Sequence, residues 1–171
     1  DRAARNDGSF TEKLGSMAQM IDRTLDTVRH IVTELRPIVL DKIGLVAAIE
    51  WQTEEFQKHS GIVCETHLPT REISLDPARS TALFRILQEA LTNVARHSGA
   101  RKAIVELRIE AGNIVLTVCD DGKGIDEMLI NAPDSIGLLG IRERMLPFGG
   151  RTQVACRPEG GTLVCVELPA N

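Results

Sequence analysis

Phe84-Arg-Ile-Leu-Gln-Glu-Ala-Leu-Thr-Asn-Val-Ala-Arg-His97 and, further on, Val118-Cys-Asp-Asp-Gly-Lys-Gly-Ile125 decide how this chain is read. The first stretch has the apolar period of an amphipathic helix, with Leu83, Leu87, Ala90, Leu91 and Val94 on its core face. Glu89, Asn93 and His97 fall at i, i+4 and i+8 and stack along another face. A carboxylate and a carboxamide aligned in this way offer hard oxygens to Mg²⁺, which takes one or two protein oxygens and fills its shell with water and phosphate. Alone, the stripe also fits a solvated helix face. In the second stretch a strand ends in Asp120 and runs into Gly122 and Gly124. A carboxylate there can accept a hydrogen bond from an exocyclic amine, and the glycines let the backbone approach a flat ring. Alone, Asp-Asp-Gly is also a common turn.

A third stretch, Ile136-Gly-Leu-Leu-Gly-Ile141, enters a helix. Glycine at a helix N-terminus makes a seat for phosphate from backbone N–H groups and the helix dipole. No G-x-x-x-x-G-K-[ST] loop and no dinucleotide-binding fingerprint occurs.

Working outward, Asp76-Pro77 reads as an N-cap with proline at the first helical position. The helix so started runs to about His97, where Gly99 closes it. Lys102–Ile109 and Asn113–Cys119 alternate and read as a hairpin. Residues 122–135 form a polar loop, and Leu138–Phe148 a helix. Arg151–Cys156 and Thr162–Leu168 make a second hairpin around Glu159-Gly-Gly161. Upstream, Leu45–His59 is a helix stopped by Ser60-Gly61, and Ile62–Leu68 a strand. Strands and helices mix without regular βαβ alternation. That predicts an α+β fold, a mixed or antiparallel sheet covered by helices.

Residues 1–10 are loop-like. Over 11–37 a heptad places Leu14, Ile21, Val28 and Leu35 seven apart, with Met17, Thr24 and Ile31 at the second core position. Ala18, Leu25 and Val32 widen the stripe, which suits a four-helix bundle better than a two-stranded zipper. Pro37 ends this helix.

Composition narrows the function classes. Of 171 residues 43% are hydrophobic, enough for a core, while aromatics are 3% and the net charge is −4. Base-stacking platforms need aromatic faces, and backbone binders need basic patches, so no nucleic-acid partner is expected. Cys64, Cys119, Cys156 and Cys165 form no CxxC pair and are read as reduced core residues of a cytoplasmic protein. No apolar run approaches the ~20 residues of a membrane span. The chain begins at Asp1 rather than Met and reads as a fragment, so a membrane region is expected only upstream of it.

The order of the three stretches resembles the ATPase superfamily of gyrase, the large heat-shock chaperones, histidine kinases and mismatch-repair ATPases. Residues 84–97 resemble the N box of a bacterial sensor histidine kinase, 120–124 its first glycine box, 137–145 its second, and Gly160-Gly161-Thr162 its last Gly-Thr element. Glu34-Leu-Arg-Pro37, Leu40-Asp41, Gly44-Leu45 and Ala48 resemble the linker of the subfamily that pairs with helix-turn-helix response regulators. The resemblance spans about residues 14–169. It implies a Bergerat-type two-layer sandwich over 38–171, preceded over 11–37 by the second helix of a dimerisation hairpin. It implies ATP and Mg²⁺ as ligands, a response regulator as partner and a homodimer in the full-length protein.

Roles follow from the resemblance. Asp120 takes the adenine amine, Gly122, Gly124 and Ile125 shape the adenine wall, and Thr162 supports Asp120. Asn93 binds Mg²⁺. Glu89 orients or polarises the acceptor or holds a Mg²⁺ water. Arg96 and His97 lie near the phosphates, while Gly137, Leu138 and Gly140 flank a lid over residues 125–136 and seat phosphate. Ser135 stands where the family often has glycine, and Asp121 where it often has asparagine. No phosphoacceptor histidine is found. Thr33-Glu-Leu-Arg-Pro37 lies too close to Asn93 to be that box, and His30 is followed by Ile31 where the family has an acidic residue. The acceptor is therefore expected upstream of Asp1, with ATP binding but no autophosphorylation by this chain. A serine kinase of the anti-sigma-factor type, or a pseudokinase used for dimerisation, is the alternative.

Overall fold

The computed structural model describes residues 37–126, 130 and 136–170. The loop over 1–10, the heptad helix up to Arg36 with His30 and Thr33, and most of the expected lid lie outside them.

Helix α1, Ile38–Ser60, is broken at Gly44 (φ 81°, ψ 177°). Its long part begins at Leu45, as the sequence predicts, and Gly61 ends it in the left-handed conformation with its N–H on the Gln57 carbonyl. The Glu72 carboxylate accepts from the N–H of Leu45 at 2.6 Å and of Val46 at 3.2 Å. A residue 27 positions downstream thus caps this helix. A Cβ on Gly44 would come within 2.6 Å of the Glu72 carboxyl carbon. Gly44 also occupies a backbone region reserved for glycine, where another residue costs about 1–3 kcal/mol. Gly44→Ala is expected to lower stability by about 2–4 kcal/mol, combining that strain with a displaced cap. Urea unfolding should show a lower midpoint at unchanged slope. A shift below half a kcal/mol would contradict the capping role.

Strand β1 is Val63–His67, and helix α2 Pro77–Asn93. The Asp76 carboxylate accepts from Ala78 N at 2.9 Å and Arg79 N at 3.0 Å, the expected cap. Helix α2 passes at Val94–Ser98 into a π turn, closed by left-handed Gly99. Strands β2 (Lys102–Glu110) and β3 (Asn113–Asp120) form the first hairpin, so Asp120 belongs to the strand itself. Helix α3, Ile136–Met145, continues into a 3₁₀ turn at Leu146–Phe148. Strands β4 (Arg151–Cys156) and β5 (Thr162–Pro169) make the second hairpin.

The five strands lie in the order β1-β2-β3-β5-β4. Strand β1 is parallel to β2, and the other pairs are antiparallel. The sheet is open and mixed. Alternate residues of the central strands, among them Val105, Ile114, Leu116, Val118, Val166 and Leu168, share one core with Leu83, Phe84, Leu87 and Leu91 of α2 and Ile141 of α3. This is the expected α+β two-layer sandwich, with apolar helix faces buried on one side of the sheet.

The cysteines meet expectation in part. All four are free, and half-buried Cys64 packs against the core, but Cys119 and Cys165 are only half-buried and Cys156 is exposed. Cys119 follows Val118, and Cys165 lies between Val164 and Val166, so the strand period turns both away from the helix-covered face. Burial still pushes the Cys119 thiol up, and the Cys64 thiol to about 11.

Candidate functional site

Asp120 ends the buried alternation of β3 and is 3% exposed. Its Oδ1 accepts from Gly122 N at 2.8 Å, closing a tight turn. Asp121 turns the other way. Its Oδ1 accepts from Lys102 N at 2.9 Å and Arg101 N at 2.8 Å, pinning the turn to the start of β2. Those donors hold the Asp121 carboxyl below its ordinary range, so this anchor is lost only as pH falls beneath that range. Asparagine could keep the same acceptor oxygen, so the family departure at this position leaves the geometry intact.

Gly122 fits because a Cβ there would overlap the Ser98 carbonyl oxygen. That oxygen accepts from Lys123 N at 3.0 Å, tying the glycine turn to the end of the π turn. π turns are rare and concentrate at functional sites. Here one replaces the expected run of α-helix to His97, and the helix end it forms meets residues 122–123. In a π turn the bonding step is five residues, so the α-helical stack from Glu89 through Asn93 does not extend to His97. Arg96 and His97 are both exposed on this turn.

On the other side of Asp120 stands the second hairpin. The β3–β5 register pairs Cys119 with Leu163, and the next step sets Asp120 beside Thr162. Gly161 approaches so closely that a Cβ would overlap the Asp120 carbonyl oxygen. Gly124 lies against the Gly161 carbonyl, at 3.3 Å from an added Cβ. Half-buried Ile125 packs on the core, and its carbonyl accepts the Cys156 thiol at 2.7 Å. Arg157 Nη1 donates to the Asp120 carbonyl oxygen at 3.2 Å. Sequence reasoning missed Ser98, Cys156, Arg157 and the role of Gly161, and only Gly161 had a signal, its place beside Thr162.

A second group forms where α2 meets α3. Glu89 and Asn93 are half-buried. A Cβ on Gly137 would overlap Glu89 Oε1 and lie 3.6 Å from Asn93 Nδ2, so glycine lets the first turn of α3 abut both side chains. Leu138 is buried in the core, and Gly140 faces its own helix's Arg144 guanidinium. Glu89, Asn93 and Gly137 are therefore one cluster, and Asp120, Gly122, Gly124, Ile125 and Thr162 another. Ser98 at the end of the π turn leads from the first to the second. Among the described residues no group of three or more His, Cys, Asp and Glu could hold a metal unaided. A carboxamide beside a carboxylate offers instead oxygens to a cation whose other ligands are phosphate and water, while the adjoining helix N-terminus suits the phosphate itself.

Comparison with known proteins agrees with this geometry. Residues 78–171 match the family model described as histidine kinase-, DNA gyrase B- and HSP90-like ATPase. The chain is 36% identical over 163 residues to the sensor histidine kinase NarS of Mycobacterium tuberculosis, covering 92% of this chain and 37% of that protein. It is 33% identical over 150 residues to the sensor histidine kinase MctS of Rhizobium johnstonii, covering 86% of this chain and 32% of that one. The chain thus spans about a third of the length of these relatives. Its fold is similar to that of the Acinetobacter baumannii histidine kinase AdeS, with TM-score 0.65 and 16% identity over 92% of this chain and 84% of that chain. Among the described residues no helix is long and apolar enough to cross a membrane. Because the match over residues 78–171 takes in more than half of the chain, the chain belongs to the histidine kinase-, DNA gyrase B- and HSP90-like ATPase family.

Proposed function

We propose that this chain is the ATP-binding catalytic region of a sensor histidine kinase, acting with Mg²⁺ on a histidine carried outside it. The observation that carries the reading is the pair of clusters joined through Ser98. Asp120 marks an adenine end, and Glu89 with Asn93 and the α3 N-terminus marks a phosphate end. Asp120 accepts the adenine amine, Gly122 and Gly124 flatten the wall, and Thr162 supports the carboxylate. Asn93 holds Mg²⁺, which neutralises phosphate charge when bound. Arg96, His97 and the backbone N–H groups at Gly137, Leu138 and Gly140 serve the phosphates.

The acceptor imidazole nitrogen bonds to the γ-phosphorus as its bond to the ADP oxygen breaks, and ADP leaves with the electron pair. Glu89 orients the imidazole and can take its proton. Such transfer depends on positioning and charge neutralisation. The phosphoryl then passes to an aspartate of a response regulator with a helix-turn-helix output. The full-length protein works as a homodimer with this region in the cytoplasm.

Titration calorimetry with a non-hydrolysable ATP analogue and Mg²⁺ tests the pocket. No heat at millimolar nucleotide would overturn it. Asn93→Ala is expected to weaken binding about tenfold in Mg²⁺, or ~1.4 kcal/mol, and to have little effect in chelator. Equal losses in both would remove the metal role. Phosphoryl transfer is tested by mixing the chain with a kinase-dead protein that carries the acceptor histidine.

A further inference from the structure

We infer that Arg157 is a positioning residue that sets the base selectivity of the nucleotide site by holding Asp120 in register. The inference rests on the adenine role proposed above for Asp120. Arg157 is no part of the four motifs that carry the family resemblance, yet it is the one side chain of the β4–β5 turn bonded to the Asp120 backbone. Its main chain is fixed on both sides. Arg157 N donates to the Gly161 carbonyl at 3.0 Å, and the Arg157 carbonyl accepts from Gly160 N at 3.0 Å. The planar guanidinium presents donors in a rigid fork. One arm, Nη2, pairs with Glu159 of the same turn at 3.0 Å, and the other, Nη1, donates to the Asp120 carbonyl at 3.2 Å. The main-chain bonds of the turn therefore place the fork, with exposed Glu159 on its outer arm, and Gly161 leaves the room in which it reaches Asp120.

The position of the Asp120 carboxylate is set from two sides. On its side-chain side, Oδ1 is held by Gly122 N. On its main-chain side, the peptide that follows Asp120 is held at both ends, its N–H (that of Asp121) on the Lys102 carbonyl at 3.2 Å and its carbonyl by Arg157, so loss of Arg157 frees the carbonyl end. A carboxylate selects a base by a small offset, since it accepts from the exocyclic amine of adenine and repels the oxo group at the same place in hypoxanthine. Rotation of the Asp120 peptide moves that carboxylate. It leaves the triphosphate contacts at Glu89, Asn93 and Gly137 where they are. Loss of the Arg157 bond should therefore damage discrimination between bases more than affinity for the triphosphate.

The test is calorimetric titration of the 171-residue chain with Mg²⁺ and either ATP analogue or inosine triphosphate. Arg157→Ala is expected to narrow the ATP-to-ITP affinity ratio by about threefold or more, the scale of one hydrogen bond, through weaker ATP binding at near-constant ITP binding. Arg157→Lys, which keeps a donor, should return the ratio to within about twofold of wild type. A merely structural role for the turn would weaken both nucleotides alike, and that result overturns the inference, as does an unchanged ratio. If Arg157→Ala fails to fold, the lysine variant decides alone, and a ratio collapsed below that range counts against positioning by a donor. Wild-type chain that binds neither nucleotide overturns the proposed function and this inference with it. Wild-type binding with a ratio indifferent to Arg157 overturns this inference only.

Discussion

Gly161→Ala is expected to disable the nucleotide site and to lower the melting temperature of the domain by about 10 °C. Gly161 sits at φ 89°, where an L side chain is strained by about 1–3 kcal/mol. The larger effect is steric. The added methyl would overlap the Asp120 carbonyl oxygen and lie 2.6 Å from its carbonyl carbon. Both are backbone atoms of a central strand, so no side-chain rotation relieves the clash. Either the β4–β5 turn or the end of β3 must move, and overpacking of this kind costs about 1–3 kcal/mol more. Moving the turn breaks the Arg157 bond to Asp120, and moving the strand breaks the turn closed by Gly122. Nucleotide affinity should therefore fall by at least about tenfold. Gly149→Ala provides the control. Gly149 also has positive φ, 65°, but nothing lies within 4 Å of its added Cβ. It should cost only the backbone term, about 1–2 kcal/mol, and leave binding intact. Thermal unfolding by circular dichroism and calorimetry on both variants separate strain from clash. Equal effects would refute the steric account.

The contrast between these glycines shows which features were legible in the sequence. Features governed by neighbours along the chain were. Asp76 and Pro77 start α2, Gly61 and Gly99 end their helices, and Arg151–Cys156 is a strand within the limits its alternation implies. The core face Leu83, Leu87, Ala90, Leu91 and Val94 is buried throughout, because a 3.6-residue period leaves one solution. What escaped is long-range. The π turn after Asn93 answers to Ser98 meeting Gly122 and Lys123, which no local pattern encodes. The cap on α1 comes from Glu72 in a separate segment. The parallel pairing of β1 with β2 needs the chain to pass through α2 first. Cys119 and Cys165 were misjudged for a related reason. A thiol's residue type suggests burial, but strand parity decided their face. At the site, the residue types that do chemistry stood out singly, and motif order joined them. The supports around Asp120 did not, since Arg157 and Ser98 are ordinary residues until the fold brings them to the turn.

Asp120→Asn is the change that most directly tests what the pocket reads. The substitution is nearly isosteric at a buried position, so the fold should persist. The asparagine carbonyl oxygen can keep the bond from Gly122 N that Oδ1 now accepts at 2.8 Å, which preserves the turn. The other oxygen becomes an amide NH₂. In the proposed pose the acceptor facing the adenine amine is thereby replaced by a donor. A hydrogen bond is lost, and two donors are left opposed at a buried position. Leaving buried polar groups unmatched costs about 1–3 kcal/mol, so ATP affinity should fall tenfold or more, ~1.4 kcal/mol at least. The same replacement should favour inosine triphosphate, whose oxo group accepts from the new amide. Melting temperature should stay within about 3 °C of wild type, because no core volume changes. Calorimetric titration of both nucleotides therefore has a diagnostic outcome, an ATP loss paired with an unchanged or improved ITP affinity. If Asp120→Asn binds ATP as wild type does, Asp120 is only a turn residue and the adenine end lies elsewhere. If both nucleotides are lost together with the melting transition, the carboxylate is holding the strand end rather than reading the base.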